Sequence, residues 1–333
     1  MAKATEYNVV NNKPCWLDIL TQVEPEQTPL YVELKKGVKP TKYSYTYFVD
    51  KIGSVSLDTV GDSAGVDSAK FENHAANRKP IEVYVQEQYE LWNLSRGESN
   101  GDADPAGVSN EVEAAKARAA VKLRLKIERS IGSDQVGEFV SEAVGGHMIA
   151  LGSFLNPENT TIPDYARTAA GAVAETDSLT EDAFRAVLQS VYDVCGDSGA
   201  KYNLYAGSDL QTKITNFMRM VETPTFLRTQ KLDGSVNEIS AAVNVYRGDF
   251  GLVKVIPNAQ LGFVSNQDGA TAESKARGYL LNMDYVELNF VHDIYNKDLP
   301  DTDASGLKGA MFAKYGLMCR SPKTCGKFIK AAA

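Results

Sequence analysis

Residues 110–131, NEVEAAKARAAVKLRLKIERSI, are the stretch of sequence that decides the fold. They contain neither proline nor glycine and are rich in alanine, leucine, lysine, arginine and glutamate, which have high helix propensity. Asn110 with Glu113 predicts an N-terminal capping box, and Gly132 predicts the end of the helix. Apolar residues recur at every fourth position, so one stripe must pack against another element. The stripe consists of Ala115, Ala119, Leu123 and Ile127.

Two shorter helices and several strands are predicted around this long helix. The helix at 178–195 is predicted to be capped by Ser178 with Glu181 and to end at Gly196, and a further helix over 208–220 is predicted to be capped by Ser208. Residues typical of strands fill the runs 42–52, 80–90, 202–207, 236–246, 252–256, 279–282, 286–291 and 310–319. Because helices and strands do not alternate regularly, the order predicts an α+β fold.

The N-terminal third contains two segments that cannot fold alone. Residues 1–41 carry apolar side chains without a helical or strand period, which predicts an extended arm lying on some surface. The runs 42–52 and 80–90 predict a hairpin, although the small, polar connection between them is much longer than most hairpin loops. Since two strands alone are only marginally stable in water, this hairpin needs support from another element.

Composition indicates an ordinary soluble protein. The chain has 333 residues, 43% of them hydrophobic, and 35 basic against 43 acidic side chains give a net charge of −8. The length predicts two domains, or one domain with large excursions. No apolar run reaches the ~20 residues that cross a bilayer, and the N-terminus lacks a signal-peptide core, so we expect a cytoplasmic location and no membrane contact. The negative charge argues against a dedicated nucleic-acid binder.

The residues that usually carry chemistry form no recognised motif. The cysteines at 15, 195, 319 and 325 include no CxxC pair and are read as free thiols in a reducing compartment. The sequence contains no HExxH, no HxH and no Walker A loop. We therefore assign no catalytic, cofactor-binding or metal-binding residue.

Four local features each allow a functional and a structural reading, and the structural reading is favoured for each. Asp249-Phe250-Gly251 matches a kinase tripeptide, but the other kinase motifs are missing, so a tight turn is expected. His147 has no nucleophile or carboxylate near it in sequence. The basic side of helix 110–131 fits a solvated or intersubunit face better than a phosphate site. The basic tail 306–333 is a candidate to pair with the acidic segment 284–303 of another copy.

The order of arm, long hairpin, long helix, α+β region and closing strand resembles that of a tailed-bacteriophage major capsid protein, which has the Johnson or Hong Kong 97 fold. Four segments carry the resemblance. They are the arm pattern Pro25-Glu26-Gln27-Thr28-Pro29-Leu30 within 18–37, the charged helix 111–132, VYRGDFGLVKVIPN at 245–258, and AKYGLMCRSPKTCGKFI at 313–329.

The resemblance implies a division of the chain. Residues 1–41 would be an N-terminal arm that clasps neighbouring subunits, and 42–92 an extended β-hairpin loop lying over the adjacent subunit. Residues 93–132, containing the spine helix, would form the peripheral domain together with the return strands of 288–333. Residues 133–287 would form the axial domain, which converges at the capsomer axes.

The implied function is structural, and the protein is expected not to be an enzyme and to need no cofactor. Copies would assemble as hexamers and pentamers into the icosahedral head of a bacteriophage, enclosing double-stranded DNA through weak, non-specific contacts. Further expected partners are a separate scaffolding protein, since the arm begins close to Met1, the portal, and decoration proteins. The location would be the virion, and the host cytoplasm during assembly.

Three alternatives remain open from the sequence. An encapsulin-type nanocompartment shell would have the same fold and a different cargo. An α+β enzyme would build its site from the scattered carboxylates of 133–287, although no spacing among them demands one. A tail-tube or decoration protein would also be β-rich, but the long helix disfavours it.

Overall fold

The computed structural model describes most of the chain after the first part of the arm. The described residues are 27–52, 77–95, 111–141, 145–196, 201–220, 245–263, 275–300 and 306–330. Most of the predicted arm, the centre of the hairpin connection, Asn110 of the capping box and residues 236–244 of a predicted strand lie outside these ranges.

The elements alternate irregularly between helix and strand, which confirms the α+β prediction. The helices are α1 (Pro29–Glu33), α2 (Glu111–Ile131), α3 (Leu151–Phe154), α4 (Glu181–Cys195) and α5 (Ser208–Met220). The first strands are β1 (Lys35–Lys36), β2 (Ser44–Val49), β3 (Lys79–Tyr84), β4 (Gln86–Ser95), β5 (Glu138–Ser141), β6 (Gly145–His147) and β7 (Val173–Glu175). The remaining strands are β8 (Lys201–Ala206), β9 (Val245–Gly248), β10 (Gly251–Pro257), β11 (Gly278–Asn282), β12 (Val286–Leu299), β13 (Gly306–Cys319) and β14 (Gly326–Ile329).

The long helix α2 is confirmed over 21 residues. Its apolar stripe is buried at Ala119, Leu123 and Ile127, and the stripe continues one turn further to Ile131. The helix ends at Ile131, directly before Gly132 as predicted, and the Gly132 N–H donates to the carbonyl of Glu128 at 3.1 Å in its last turn.

A four-stranded sheet in the order β1-β12-β13-β4 packs against this stripe. Strands β12 and β13 are antiparallel neighbours of 14 residues each, longer than the predicted runs 286–291 and 310–319. On the face towards α2, Gln88 donates to the Ser130 hydroxyl at 2.7 Å and accepts from Tyr315 at 2.9 Å. One face of the sheet is therefore covered by the long helix.

A six-stranded sheet in the order β7-β14-β11-β8-β10-β9 has its own apolar core with α4 and α5. Phe184 of α4 lies at the centre of this core, stacked on Phe328 and edge-on to Tyr246.

Helix α4 is capped by Thr180, whose hydroxyl accepts the Ala183 N–H at 3.2 Å. The predicted cap at Ser178 is therefore wrong, because the helix begins two residues later than expected. Gly196 ends α4 in the left-handed conformation (φ 65°), as predicted.

The segment 80–90, predicted as one strand, divides at Val85 into two strands of different sheets. β3 pairs with β2, which confirms the hairpin, while β4 pairs with β13 in the four-stranded sheet. The alternation of polar and apolar residues that begins at Ile81 stops at the division, because Gln86, Glu87 and Gln88 follow Val85 as three polar residues in a row. The prediction of one run over 80–90 did not use this interruption.

Asp249 and Phe250 form the turn between β9 and β10, where Gly248 and Gly251 pair across the hairpin. Gly251 has a φ of 141°, which a residue with a side chain rarely adopts. The kinase-like tripeptide is therefore a hairpin turn, as expected.

Replacing Leu123 by alanine tests the packing of α2. Leu123 is fully buried, so Leu123→Ala should lower the free energy of unfolding of the unassembled subunit by about 2–5 kcal/mol. Leu91→Ala is the matched control, because Leu91 is exposed on β4 and its truncation should change stability by less than about 0.5 kcal/mol. Urea unfolding monitored by circular dichroism gives both values, and equal midpoints would contradict this role of the stripe.

Candidate functional site

The carboxylate of Glu128 fastens the described end of the arm to the long helix. It accepts the backbone N–H groups of Leu30 at 3.0 Å and Tyr31 at 2.7 Å, in the first turn of α1. It also accepts the side-chain amide of Asn258 at 2.6 Å, from the segment after β10. One buried carboxylate thus joins the arm, the long helix and the end of a strand of the six-stranded sheet.

Burial dominates the ionisation of this carboxyl. Removal from water raises the pKa of Glu128 to about 7, and the hydrogen bonds from Leu30, Tyr31 and Asn258 only partly oppose the rise. The group therefore titrates near neutral pH, well above the usual range of a glutamate.

The other end of α1 is fastened to the six-stranded sheet. Glu33 accepts hydrogen bonds from Tyr205 at 2.9 Å and Asn203 at 3.1 Å, both on β8, and lies 3.2 Å from the ammonium of Lys254 on β10. Leu30 and Leu34 are buried in the main core of the same chain. The expectation of an arm without regular structure is therefore wrong for residues 29–36, which form a short helix and a short strand.

The base of the hairpin also packs on its own subunit. Ile81 and Val83 of β3 belong to the main core. Tyr47 of β2 donates its hydroxyl to the Cys319 carbonyl at 2.6 Å, and Tyr45 accepts the Asn289 amide at 3.1 Å. The described strands of the hairpin therefore have the support from another element that the sequence predicted, and this support comes from their own subunit.

The hairpin covers part of the sheet face that lies opposite α2. Tyr45 approaches this face at Gly316 of β13. Lys314 marks the border, with its ammonium 4.0 Å from the ring centre of Tyr43 and 3.5 Å from the Glu87 carboxylate. Beyond Lys314 the described chain leaves the face uncovered.

The uncovered part carries a row of aromatic side chains across three strands. Phe312 of β13 lies between Tyr89 of β4, with ring centres 6.1 Å apart, and Tyr295 of β12, stacked at 5.7 Å. Tyr89 is 56% exposed, and Leu91, on the same side of β4, is 62% exposed. We call these four residues, Tyr89, Leu91, Tyr295 and Phe312, the open sheet face. An exposed apolar patch of this kind is typical of a protein–protein contact.

The hairpin presents a second set of exposed apolar side chains. Phe48 is 65% exposed on the side of β2 away from the core, and Ile52, just after the strand, is 89% exposed. Ile52 leads directly into residues 53–76, which lie outside the described ranges.

Three basic residues of α2 contact their own chain. Lys116 lies 4.9 Å from the ring centre of Trp92, Lys122 lies 4.0 Å from the Glu90 carboxylate, and Lys126 also pairs with Glu90. Arg118 and Arg124 of the same helix are exposed, which agrees with the solvated face favoured from the sequence.

The acidic segment 284–303 and the basic tail lie beside each other in one chain, because they supply the neighbouring strands β12 and β13. Glu287 pairs with Arg320 at 2.7 Å within the subunit. The expectation that these segments pair between copies is wrong for this contact.

Among the described residues, no active-site constellation forms around those considered from the sequence. His147 lies at the end of β6, and its Nδ1 is buried without a hydrogen-bond partner among the described residues. Within those same ranges no cluster of His, Cys, Asp or Glu side chains is arranged to hold a metal ion. Among the helices in the described part of the chain, none has the length and apolarity needed to cross a membrane.

Comparison with known proteins identifies relatives of the whole chain. The family model described as SU10 major capsid protein matches residues 3–332. No curated protein matches the sequence.

Similar solved structures include that of Mycobacterium phage Bobi, with a TM-score of 0.60, 11% identity and 100% of both chains covered. The capsid asymmetric unit of cyanophage A-1(L) has a TM-score of 0.63 and 12% identity, with 97% of each chain covered. The capsid of a native GTA particle has a TM-score of 0.59 and 14% identity over 99% of this chain and 100% of that one. At such low identity these structures show a shared fold.

The ionisation of Glu128 predicts how stability depends on pH. Below its ordinary pKa of 4.5 this carboxyl is protonated in both states, and between 4.5 and about 7 only the folded subunit keeps the proton. The free energy of unfolding should therefore fall, by roughly 3 kcal/mol from this group, as pH rises through that window. Glu128→Gln should remove this part of the slope.

Urea unfolding at about pH 5, 6, 7 and 8 measures the slope for the unassembled subunit. Glu175→Gln is the matched control, because Glu175 is exposed at the end of β7 and its loss should leave the slope unchanged. Parallel pH profiles for wild type and Glu128→Gln would contradict the assignment.

Proposed function

This chain belongs to the SU10 major capsid protein family, and we propose that its open sheet face and its hairpin are the surfaces through which copies of it join into a shell. The protein is a structural component of the virion, and its copies form an icosahedral capsid with the Hong Kong 97-like fold. Function in such a protein depends on contacts between subunits.

The open sheet face is the observation that carries the proposal. It continues the surface that the subunit's own hairpin covers as far as Lys314. We propose that the extended loop of an adjacent copy, reaching out from Ile52, covers the remainder. Apolar burial at ~25 cal/mol per Å² would drive this contact, less the cost of ordering the loop.

The proposal also assigns a role to each segment of the chain. The arm would clasp neighbouring subunits through residues 1–26, since residues 29–36 lie on their own subunit. The extended loop would end near Val85, because β4 belongs to the four-stranded sheet. That sheet and α2 would form the peripheral domain, and the six-stranded sheet the axial domain at the capsomer axes.

Hexamers and pentamers are the proposed assembly units. A separate scaffolding protein, the portal, decoration proteins and packaged double-stranded DNA are the proposed partners. The net charge of −8 supports weak and sequence-blind contact with the DNA. Lys116, Lys122 and Lys126 each pair with an acidic side chain of their own subunit, which also supports weak contact with the DNA.

A structural role without catalysis fits the family. An encapsulin-type shell would use the same fold, but the match to a phage capsid family over residues 3–332 favours packaged DNA as the content. Scattered carboxylates such as Glu33 and Asp134 hold elements together through hydrogen bonds and ion pairs, which gives the enzyme alternative no support.

A charge placed on the open sheet face should block assembly and spare the fold. Because Leu91 is exposed, Leu91→Asp should change subunit stability by less than about 0.5 kcal/mol. Burying the new carboxylate against a neighbour would be costly, so few or no shells should form. Leu91→Ile keeps the apolar surface and should assemble normally. Negative-stain microscopy and sedimentation measure the outcome, and normal shells from Leu91→Asp would refute the role of this face.

Two arm deletions separate clasping from folding. Removal of residues 1–26 keeps Leu30, Leu34 and the partners of Glu128, so the subunit should stay folded while shell yield falls. Removal of residues 1–35 takes away those buried groups and should also lower the thermal unfolding temperature. Normal shells from the first deletion would show that residues 1–26 do not clasp neighbours.

A further inference from the structure

The residues directly after α2 receive three side chains from the six-stranded sheet. Tyr279 of β11 donates its hydroxyl to the Gly132 carbonyl at 2.7 Å. Asp134 accepts the ammonium of Lys327 on β14 at 2.8 Å through one oxygen. Its other oxygen lies 2.6 Å from the guanidinium of Arg277, just before β11. We call Asp134, Arg277, Tyr279 and Lys327 the Asp134 junction.

The junction lies on the face of the six-stranded sheet that is turned away from α4 and α5. Tyr279 and Lys327 are direct partners on neighbouring strands, so their side chains project from the same face. Tyr279 belongs to the main core, whereas its neighbour Leu280 belongs to the core with α4 and α5. The chain that leaves α2 is therefore seated on this sheet face.

Two cations share one carboxylate at the junction. The side chains of Arg277 and Lys327 are each only 11% exposed, while that of Asp134 is 49% exposed. Among the described residues Asp134 is the acidic partner of both, and Lys327 has a further bond to the Gly152 carbonyl at 2.8 Å. Loss of the Asp134 charge would leave two nearly buried cations without an anion, which is costly. Because Asp134 itself reaches water, solvent can enter beside it, so the chain is expected to fold without this charge.

A second attachment joins the same helix to the same sheet. Glu128 accepts the Asn258 amide at 2.6 Å, directly after β10, and Arg129 donates to the Gln260 side chain at 3.0 Å. In the sheet, β10 and β14 are three strand spacings apart, about 14 Å. Two attachments at this separation fix the rotation of the sheet about the end of α2, whereas one attachment alone would leave that rotation open.

We propose that the Asp134 junction sets the angle between α2, with its four-stranded sheet, and the six-stranded sheet, and that this angle decides whether copies close into shells of uniform size. Subunits close into a shell only when each meets the next at a defined rotation, and a rotation that does not close gives open or irregular assemblies. Each copy is one link of the shell, so a change of angle inside the copy changes the rotation between its neighbours. Asp134 acts here as a positioning residue.

Asp134→Asn tests the junction, because it keeps the size of the side chain and removes its charge. The full-length variant is assembled, and particle diameters are measured by electron microscopy. Their spread, with open and spiral particles counted, should be at least about twofold wider than for wild type, since closure depends on the rotation between copies. Asp164→Asn is the matched control, because Asp164 pairs with Arg167 at the surface, and it should give the wild-type spread.

The angle itself is measured in the unassembled subunit, where shell yield plays no part. Spin labels carried by p-acetylphenylalanine in place of Arg118 on α2 and Gln189 on α4, both exposed, report the distance between the two parts by double electron–electron resonance. Asp134→Asn should widen the distribution of this distance. Tyr279→Phe removes only the bond to Gly132 and should widen the distribution less.

Leu123→Ala separates a change of angle from a loss of stability. It removes core contacts of α2 and leaves the junction intact, so the subunit should unfold more easily and keep the wild-type distance distribution. Equal widening for Leu123→Ala would overturn the proposal.

A wild-type distance distribution for Asp134→Asn, or a wild-type spread among the shells that it forms, would also overturn it. A widened distribution without closed shells would support it. If Asp134→Asn does not fold, Tyr279→Phe decides by the same two measurements. Leu91→Asp changes the open sheet face and leaves the junction intact, so failure of one proposal is distinguishable from failure of the other.

Discussion

The buried carboxyl group of Glu128 holds three parts of the subunit together: the described end of the arm, the long helix and the segment after β10. Two backbone N–H groups and one side-chain amide donate to this carboxyl, and these bonds offset only part of the cost of removing its charge from water. The helix α1 has only five residues and would not persist alone in water. Its first turn is held by Glu128, and its last turn by Tyr205 and Asn203 through Glu33. A weak local element is thus fixed by contacts at both of its ends.

This double attachment makes residues 29–36 of the arm part of their own subunit. Leu30 and Leu34 complete the core beside the long helix, so the described end of the arm is as much part of the fold as α2 itself. The hairpin repeats the arrangement, because its base is buried at Ile81 and Val83 while Phe48 and Ile52 face outward. The described ends of the arm and of the hairpin are therefore fixed on the subunit, which would reduce the ordering cost of the contacts proposed for the segments beyond them.

Elements with local sequence signals were predicted correctly. Elements whose structure depends on contacts between distant parts of the chain were not. The long helix, its buried stripe and its end at Gly132 follow from propensity, periodicity and capping, and all three are confirmed. Helix α1 could not be predicted, because the carboxylate that holds it lies 97 residues or more away in sequence. The division at Val85 was missed although the polar run Gln86-Glu87-Gln88 interrupts the alternation there, because only the pairing partners show that β3 and β4 belong to different sheets. The open sheet face depends on three strands meeting side by side, which no local pattern reports.

The partly covered sheet leaves apolar surface on a subunit whose core is otherwise complete. Assembly would bury that surface. The face opposite α2 is one continuous surface, and the hairpin covers it only as far as Lys314. The aromatic row of Tyr89, Phe312 and Tyr295 is open in the single subunit, and in the proposed assembly a neighbouring copy would bury it. Such a contact could be modest, because each copy in a closed shell would make it on both sides, and linked weak contacts reinforce one another without any single strong interface.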